Sequence, residues 1–201
     1  MGVELGRFRR AAEWLVRWEQ RRQEIGTRLE QVEIKGRMEV SGPQGAFTIT
    51  GRADRFDRTA DGRLDVIDYK TGTAPSAKTV NVGFDPQLPL TAVMAMQAGV
   101  FPDLAESPPA GLYYVRLPGN AEGGEEVRID SSRSTPDALT MAEKALEDLI
   151  GWIARFDDET MPYESQVRAQ YKNDYGDFDH LARRGEWASA ASDTDGSESG
   201  S

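Results

Sequence analysis

The length, composition and charge of the chain set the first limits on its function. Its 201 residues suffice for one domain with a core, and 38% of them are hydrophobic and 29% charged, as in ordinary globular proteins. The absence of cysteine excludes disulfides, thiolate zinc sites, cysteine-ligated iron–sulfur clusters and a cysteine nucleophile. A net charge of −10 argues against a simple nucleic-acid-binding surface. No apolar run approaches the roughly 20 residues that cross a bilayer, so we expect a cytoplasmic protein without membrane contact.

The first half of the chain predicts a helix followed by an antiparallel meander. A loose apolar stripe among arginines and glutamates indicates a helix over residues 4–29. Alternating apolar and polar side chains then predict three strands. Turn residues separate the first two strands at 41–45, and Asp61-Gly62 is a hairpin turn between the second and third. The three strands are expected at 32–40, 47–58 and 64–71.

The second half of the chain changes to a helical period. A helix is expected over 87–100, followed by a buried strand at 111–117 that can pair with 125–130. The clearest helical spacing of the sequence covers 136–157, with Pro136 in the first turn. Residues after 161 are aromatic and irregular, and the last residues are small and polar.

This order of elements predicts an α/β domain in which a mixed sheet is flanked by helices. We expect the domain core at 1–160. An irregular extension at 161–187 is expected to pack on that core, and the composition of 188–201 indicates a disordered tail.

Three charged side chains in the second and third predicted strands carry the strongest chemical signal. Aspartate is depleted in strands, yet Asp54 and Asp68 lie inside them. Residues two apart on a strand share a face, so Asp68 and Lys70 project together. A hairpin that turns at Asp61-Gly62 pairs residues whose numbers sum to roughly 123, which places Asp54 near Asp68 or Lys70.

Two interpretations fit this patch of charge. One is a cross-strand salt bridge on a solvated face, worth about 0–1 kcal/mol. The other is a hard divalent cation held by carboxylate oxygens. Apolar residues on both sides of Asp68 indicate burial, where an uncompensated charge is costly. Asp57, Arg58 and Arg63 are expected to give the hairpin its surface charge already, and we therefore prefer the metal site.

The ordered motifs resemble nuclease domains of the PD-(D/E)XK type. The resemblance is to the RecB/AddB family, and most specifically to the C-terminal nuclease domain of the AddB-type subunit of bacterial helicase–nucleases. It covers roughly residues 10–187. The segments that carry it are Gly51-Arg52-Ala53-Asp54, Asp68-Tyr69-Lys70-Thr71-Gly72, Pro86-Gln87-Leu88-Pro89-Leu90, 177–183 and Glu186-Trp187.

The resemblance implies a restriction-endonuclease-like fold and a deoxyribonuclease that depends on Mg²⁺ or Mn²⁺. Asp54 and Asp68 would bind the ion, with the carbonyl of Tyr69 as a further ligand. Lys70 would position the attacking water and favour its deprotonation. Gln87 would orient the lysine, the water or a DNA phosphate. Phosphodiester hydrolysis needs a nucleophile at neutral pH and relief of phosphate charge, and a metal ion supplies both.

The chain departs from the resembled family at three points. Thr91 stands where a tyrosine often follows the motif glutamine. The four-cysteine iron–sulfur cluster of many AddB-type subunits is not expected here, because cysteine is absent. The upstream helix of the family usually adds a histidine or glutamate ligand, but the first helix here has no histidine. Glu33 or Glu39 could replace it, although each also fits a solvated strand residue. We therefore expect an upstream part to be missing and the chain to come from a larger polypeptide.

These implications predict a nuclease domain of a helicase–nuclease that processes double-strand DNA ends for recombinational repair. Its expected partners are single DNA strands from the unwound duplex, an AddA-type helicase–nuclease subunit and the rest of its own parent chain. Those absent regions would supply the basic DNA channel that an acidic chain lacks. The alternative is a non-catalytic docking or strand-guiding module of the same fold, inactive in isolation. A divalent ion between Asp54 and Asp68 discriminates between the two.

Overall fold

The computed structural model describes residues 2–131 and 135–161. The described residues up to Asp157 form one compact unit. The predicted extension beyond Met161 and the predicted tail at 188–201 lie outside the described residues. In chain order the elements are α1 (Gly2–Glu24), β1 (Arg28–Gly42), β2 (Gly45–Arg58), β3 (Leu64–Lys70), α2 (Ala77–Asn81), α3 (Gln87–Ala95), β4 (Pro109–Arg116), β5 (Glu125–Arg128) and α4 (Ala138–Phe156).

The strands form one mixed sheet in the order β1-β2-β3-β4-β5. The β1–β2, β2–β3 and β4–β5 pairs are antiparallel, whereas β3 and β4 are parallel. A parallel pair needs a long crossover, and α2 and α3 lie in that crossover. The predicted α/β class with a mixed sheet flanked by helices is confirmed. Among the described residues, no helix is both long and apolar enough to cross a membrane.

The main hydrophobic core lies on the sheet face that α3 and α4 cover. β3 contributes Val66 and β2 contributes Phe56, both almost fully buried. Leu88 of α3 and Met141 of α4 pack against them in the same cluster. The helical spacing of α4 therefore places its apolar stripe on the sheet, as the sequence predicts.

The helix boundaries differ from the predicted ones for local reasons. Asp137 is the N-cap of α4 and its carboxylate accepts from Thr140 N at 2.8 Å, so Pro136 precedes the helix and does not lie in its first turn. α3 ends at Ala95, well before the predicted 100, and the chain then turns, with Gly99 at φ 74°. The sequence analysis missed the short α2, which Ser76 caps by accepting from Thr79 N.

The opposite sheet face holds α1 through one aromatic residue and a buried charge network. Trp18 is 1% exposed and packs on Ile67 of β3. Arg22 donates to Asp57 Oδ2 at 2.7 Å and to Asp65 Oδ2 at 2.5 Å. The two carboxylates outweigh the burial of Arg22 and raise its pKa. Asp57 is 1% exposed, so the expectation that it supplies surface charge is wrong.

Removal of Arg22 should destabilise the fold strongly. Arg22→Ala leaves Asp57 and Asp65 buried without their shared cation, which costs about 3–5 kcal/mol of unfolding free energy. Urea denaturation measures the loss. Arg9→Ala is the matched control, because the exposed Arg9–Glu13 pair on the same helix contributes little. Equal stability of the two variants would contradict the structural role of the network.

Candidate active site

The β2–β3 hairpin determines which residues meet at the candidate site. Its pairs run from Arg58↔Leu64 to Arg55↔Ile67, so paired numbers sum to 122. Continued by one residue, this register sets Asp54 opposite Asp68. The Asp61-Gly62 turn signal predicts a sum of roughly 123. The difference of one arises because the strands close across the loop 59–63, where Thr59 N donates to Arg63 O at 2.9 Å.

Asp54 lies where the alternation of β2 breaks. Ala53 and Phe56 both belong to the core under α3, although residues three apart on a regular strand face opposite sides. Arg55 between them lies on the α1 face, where it pairs with Glu19. On β1, Glu33 lies between the paired residues Val32 and Ile34 and has φ 54°. Positive φ at a non-glycine residue is strained, and such strain is common beside functional sites.

The carboxylate of Asp54 reaches the end of β3. Its Oδ2 accepts from the backbone N of Tyr69 at 2.8 Å. Asp54 is thereby fixed beside the peptide bond that joins Asp68 to Tyr69. The charge of Asp54 is also close enough to Asp68 to contribute to the raised pKa of that carboxyl.

Asp68 is the most buried member of the site, at 6% exposed. Its Oδ1 accepts from Gln87 Nε2 at 2.9 Å. Its Oδ2 is buried and lies 2.8 Å from Lys70 Nζ; apart from this ammonium, Oδ2 has no polar partner among the described residues. Burial raises the pKa of Asp68, Lys70 opposes the rise, and the charges of Asp54 and Asp85 add to it.

Gln87 links the helix layer to the two charged residues of β3. It is the first residue of α3, and its side-chain amide donates to Asp68 while its Oε1 accepts from Lys70 Nζ at 3.3 Å. The ammonium of Lys70 also lies 5.5 Å from the ring centre of Tyr114. All four predicted catalytic side chains therefore lie at the same end of the β2–β3 pair.

Two residues near the site were missed by the sequence analysis. Tyr114 pairs with Asp68 across the parallel β3–β4 ladder, and its hydroxyl donates to Asp85 Oδ1 at 3.2 Å. Burial raises the pKa of Tyr114, which keeps the phenol protonated as a donor. Asp85 could have been found from the sequence, because it lies two residues before Gln87 and so close to a predicted site residue. Tyr114 reads only as a core aromatic, because the β3–β4 pairing is not visible in the sequence.

The oxygen donors present fit a hard divalent cation. Two carboxylates lie together, and the buried Oδ2 of Asp68 has no polar partner other than the Lys70 ammonium among the described residues. Within the described ranges, no cluster of three or more histidine, cysteine, aspartate or glutamate side chains is placed to hold a metal ion. A two-carboxylate site suits Mg²⁺, which keeps several waters and uses substrate phosphates as further ligands.

The glutamates considered as substitutes for a missing ligand are paired elsewhere. Glu33 forms an exposed ion pair with Arg52, and Glu39 with Arg37 at 3.3 Å. Glu19 of α1 pairs with Arg55 on the other sheet face. Their interpretation as charged surface or pairing residues is the one that the structure supports.

Comparison with known families places the chain. A match to the PD-(D/E)XK nuclease superfamily covers residues 1–171. The chain belongs to this superfamily, and its five-stranded mixed sheet flanked by helices agrees with that fold. Membership supports nuclease activity, that is, phosphodiester hydrolysis.

Matches to individual proteins give less information about function than the family match does. An uncharacterized protein of Rickettsia bellii is 34% identical over 67 residues, and one of Rickettsia felis is 33% identical over the same length. Each match covers 33% of this chain and 8% of the relative, so the chain spans a small part of these proteins. The solved structure of SSO0001 is 17% identical and covers 70% of this chain and 58% of its own, with a TM-score of 0.32, too low to support an argument.

The raised pKa of Asp68 predicts a pH-dependent loss of stability. The native state holds this proton more tightly than the unfolded state. The contribution of Asp68 to the free energy of unfolding therefore falls as the pH rises from about 3.9, the pKa of aspartate in the unfolded chain, through its higher pKa in the folded state. Asp68→Asn removes the titration, so the Tm of the variant relative to the wild type should rise over this range. Thermal melting in metal-free buffer from about pH 3.9 to 7 measures it.

Divalent ions should relieve the same unfavourable burial. Millimolar Mn²⁺ at neutral pH should raise the Tm of the wild type, because the ion binds the folded arrangement. Asp68→Asn should lose this response, and Asp61→Asn, an exposed carboxylate in the same hairpin, should keep it. An equal Mn²⁺ response in wild type and Asp68→Asn would show that Asp68 is not a ligand.

Proposed function

We propose that this domain is a metal-dependent deoxyribonuclease that hydrolyses phosphodiester bonds with Mg²⁺ or Mn²⁺. The observation that carries the proposal is the convergence of Asp54, Asp68, Lys70 and Gln87 at one end of the β2–β3 pair. It occurs in a chain of a nuclease superfamily. When bound, the ion would lower the pKa of a water and neutralise phosphate charge.

The ligands proposed for the ion are Asp54, Asp68 and the carbonyl of Tyr69. In an extended strand the N–H and C=O of one residue point to the same side. The N–H of Tyr69 points to Asp54, and the β2–β3 pairing ends at Ile67. The carbonyl of Tyr69 is then on the Asp54 side, beyond the last paired residues. This geometry supports one backbone and two carboxylate oxygens as the protein ligands.

Lys70 is proposed to position the attacking water and favour its deprotonation. Its side chain is 26% exposed, so the ammonium can reach substrate without leaving Asp68. Gln87 is proposed to hold Lys70 in place, since its Oε1 accepts from the ammonium while its amide fixes Asp68. The same amide could turn toward a water or a phosphate when substrate binds.

The biological setting that we propose is a helicase–nuclease that processes double-strand DNA ends for recombinational repair. The support is the resemblance of Pro86-Gln87-Leu88-Pro89-Leu90 and the surrounding motifs to AddB-type subunits. The matched relatives are much longer than this chain. In this setting the partners are an AddA-type subunit, the rest of the parent chain and the single strands of the unwound duplex. Regions outside this acidic chain would then carry most of the DNA channel.

A second candidate is a non-catalytic module with the same fold. The observation that favours it is that the described residues offer no third acidic or histidine side chain for the ion. Such a module would dock a partner or guide a strand without cutting it. Metal-dependent cleavage by the chain distinguishes the two candidates.

Substitution of Lys70 should separate catalysis from metal binding. Lys70→Ala should slow cleavage of single-stranded DNA by about 10²–10⁴-fold, the usual effect of losing an acid–base or positioning group. Its Mn²⁺ affinity should stay near that of the wild type, whereas Asp68→Ala should lose both binding and cleavage. Cleavage rates and calorimetric Mn²⁺ titration, in the complete complex where available, measure the two effects.

The matched control is Lys144→Ala on α4, whose ammonium pairs with Asp148 and should not affect the rate. If Lys70 served only as a salt-bridge partner, its loss would leave cleavage unchanged and strengthen metal binding. That result would remove Lys70 from the proposed mechanism.

A further inference from the structure

An open groove of about 740 Å³ lies beside the β1–β2 hairpin. Residues of β1 and β2 form one side of it, and the loop after α3 forms the other, joined to β1 where Arg37 N donates to Val100 O at 3.2 Å. Three cations line the groove, namely Lys35, Arg37 and Arg52, and no carboxylate does. This is unusual in a chain whose net charge is −10.

The cations of the groove can exchange their present partners for a ligand. Arg52 pairs with Glu33 and Arg37 with Glu39, and all of these side chains are more than half exposed. Exposed pairs of this kind contribute about 0–1 kcal/mol, so a phosphate can displace the glutamate. Lys35 has no ion-pair partner within the part of the chain that the structure describes. The groove therefore offers one free ammonium and two weakly held guanidinium groups.

The cations project from the sheet face opposite α3, because they alternate with core residues of β1 and β2. The pairing of β2 with β3 ends just short of Asp54, so a DNA strand that leaves the groove along β2 meets Asp54 where the two strands separate. Arg52 lies two residues before Asp54 on β2, about 7 Å along the strand. Lys35 is paired with Arg52, and Arg37 with Thr50 two residues further on. Lys35 and Arg52 thus lie side by side, and Arg37 lies one same-face position further along the hairpin, about 7 Å away.

We propose that this groove binds the backbone phosphates of the single DNA strand whose scissile bond lies at Asp54 and Asp68. The inference rests on the proposed nuclease function and names where its substrate runs. Phosphate contacts of this kind position a strand without reading its sequence. The groove gives this acidic chain a local basic surface for DNA that does not depend on partner subunits.

The test is the salt dependence of binding to a fluorescein-labelled oligothymidylate, followed by anisotropy in EDTA. The triple variant Lys35→Ala, Arg37→Ala, Arg52→Ala should lower the slope of log affinity against log salt by about 2, since each lost phosphate contact removes about 0.7. Between about 50 and 200 mM salt, the wild type should lose roughly 15-fold more affinity than the variant. The charge-matched control removes Arg9, Arg17 and Lys144 and should retain the wild-type slope.

A second variant tests the exchange of partners. Glu39→Gln frees Arg37, so it should tighten binding at low salt. Circular dichroism and melting of each variant establish that it is folded.

Cleavage of the same strand in Mn²⁺ separates this inference from the nuclease proposal. If the wild type cleaves but the triple variant keeps the wild-type salt slope and KM, the groove does not bind the substrate and the inference is overturned. If the wild type fails to cleave but the triple variant has a lower slope of log affinity against log salt, phosphate binding in the groove is supported and the nuclease proposal fails. A slope lost equally in the charge-matched control would also overturn the inference, because net charge alone would explain it.

Discussion

The register of the β2–β3 hairpin is the constraint on which the rest of the domain depends. With Arg55 opposite Ile67, the next residues in the two strands are Asp54 and Asp68, and Tyr69 N is free to bind the Asp54 carboxylate. A slip of one residue would turn every side chain of β3 to the other face. Asp68 would then leave Gln87, and Asp65 would leave Arg22. The same register therefore fixes the candidate site on one face and the charge network on the other.

β3 carries a buried carboxylate on each of its two faces, Asp65 on one and Asp68 on the other. Asp65 pairs with Arg22, which ties α1 to the sheet, although burial still raises the pKa of Asp65. Asp68 pairs with Lys70, whose side chain is more exposed than that of Arg22, and burial raises the pKa of Asp68 as well. The carboxylate that ties α1 to the sheet and the carboxylate proposed to hold a metal ion thus lie three residues apart on β3. A bound cation would supply positive charge beside Asp68, whose burial without the ion lowers the stability of the fold; such a cost is common at functional sites.

Much of this arrangement could be predicted from the sequence because its signals are local. Alternation and turn residues locate β1, β2 and β3, and helical spacing locates α1 and α4. The strand positions of Asp54, Asp68 and Lys70 follow from the hairpin. What could not be predicted depends on contacts distant in sequence. The burial of Asp57 depends on Arg22 of α1, and the place of Tyr114 beside Asp68 depends on a parallel pairing across a long crossover. The alternation break at Asp54 lies beside Glu33, which has positive φ, and it has no sequence signal, since glutamate rarely adopts that conformation.

The account is tested most directly by the anomalous diffraction of crystals soaked in Mn²⁺. It predicts one strong manganese peak with carboxylate oxygens of both Asp54 and Asp68 at about 2.0–2.6 Å, and with the carbonyl of Tyr69 in the same coordination shell. Lys70 Nζ should lie outside that shell and within hydrogen-bond distance of a water in it. A manganese peak elsewhere in the molecule, with Asp68 still paired to Lys70 and no density between the two aspartates, would contradict the central claim.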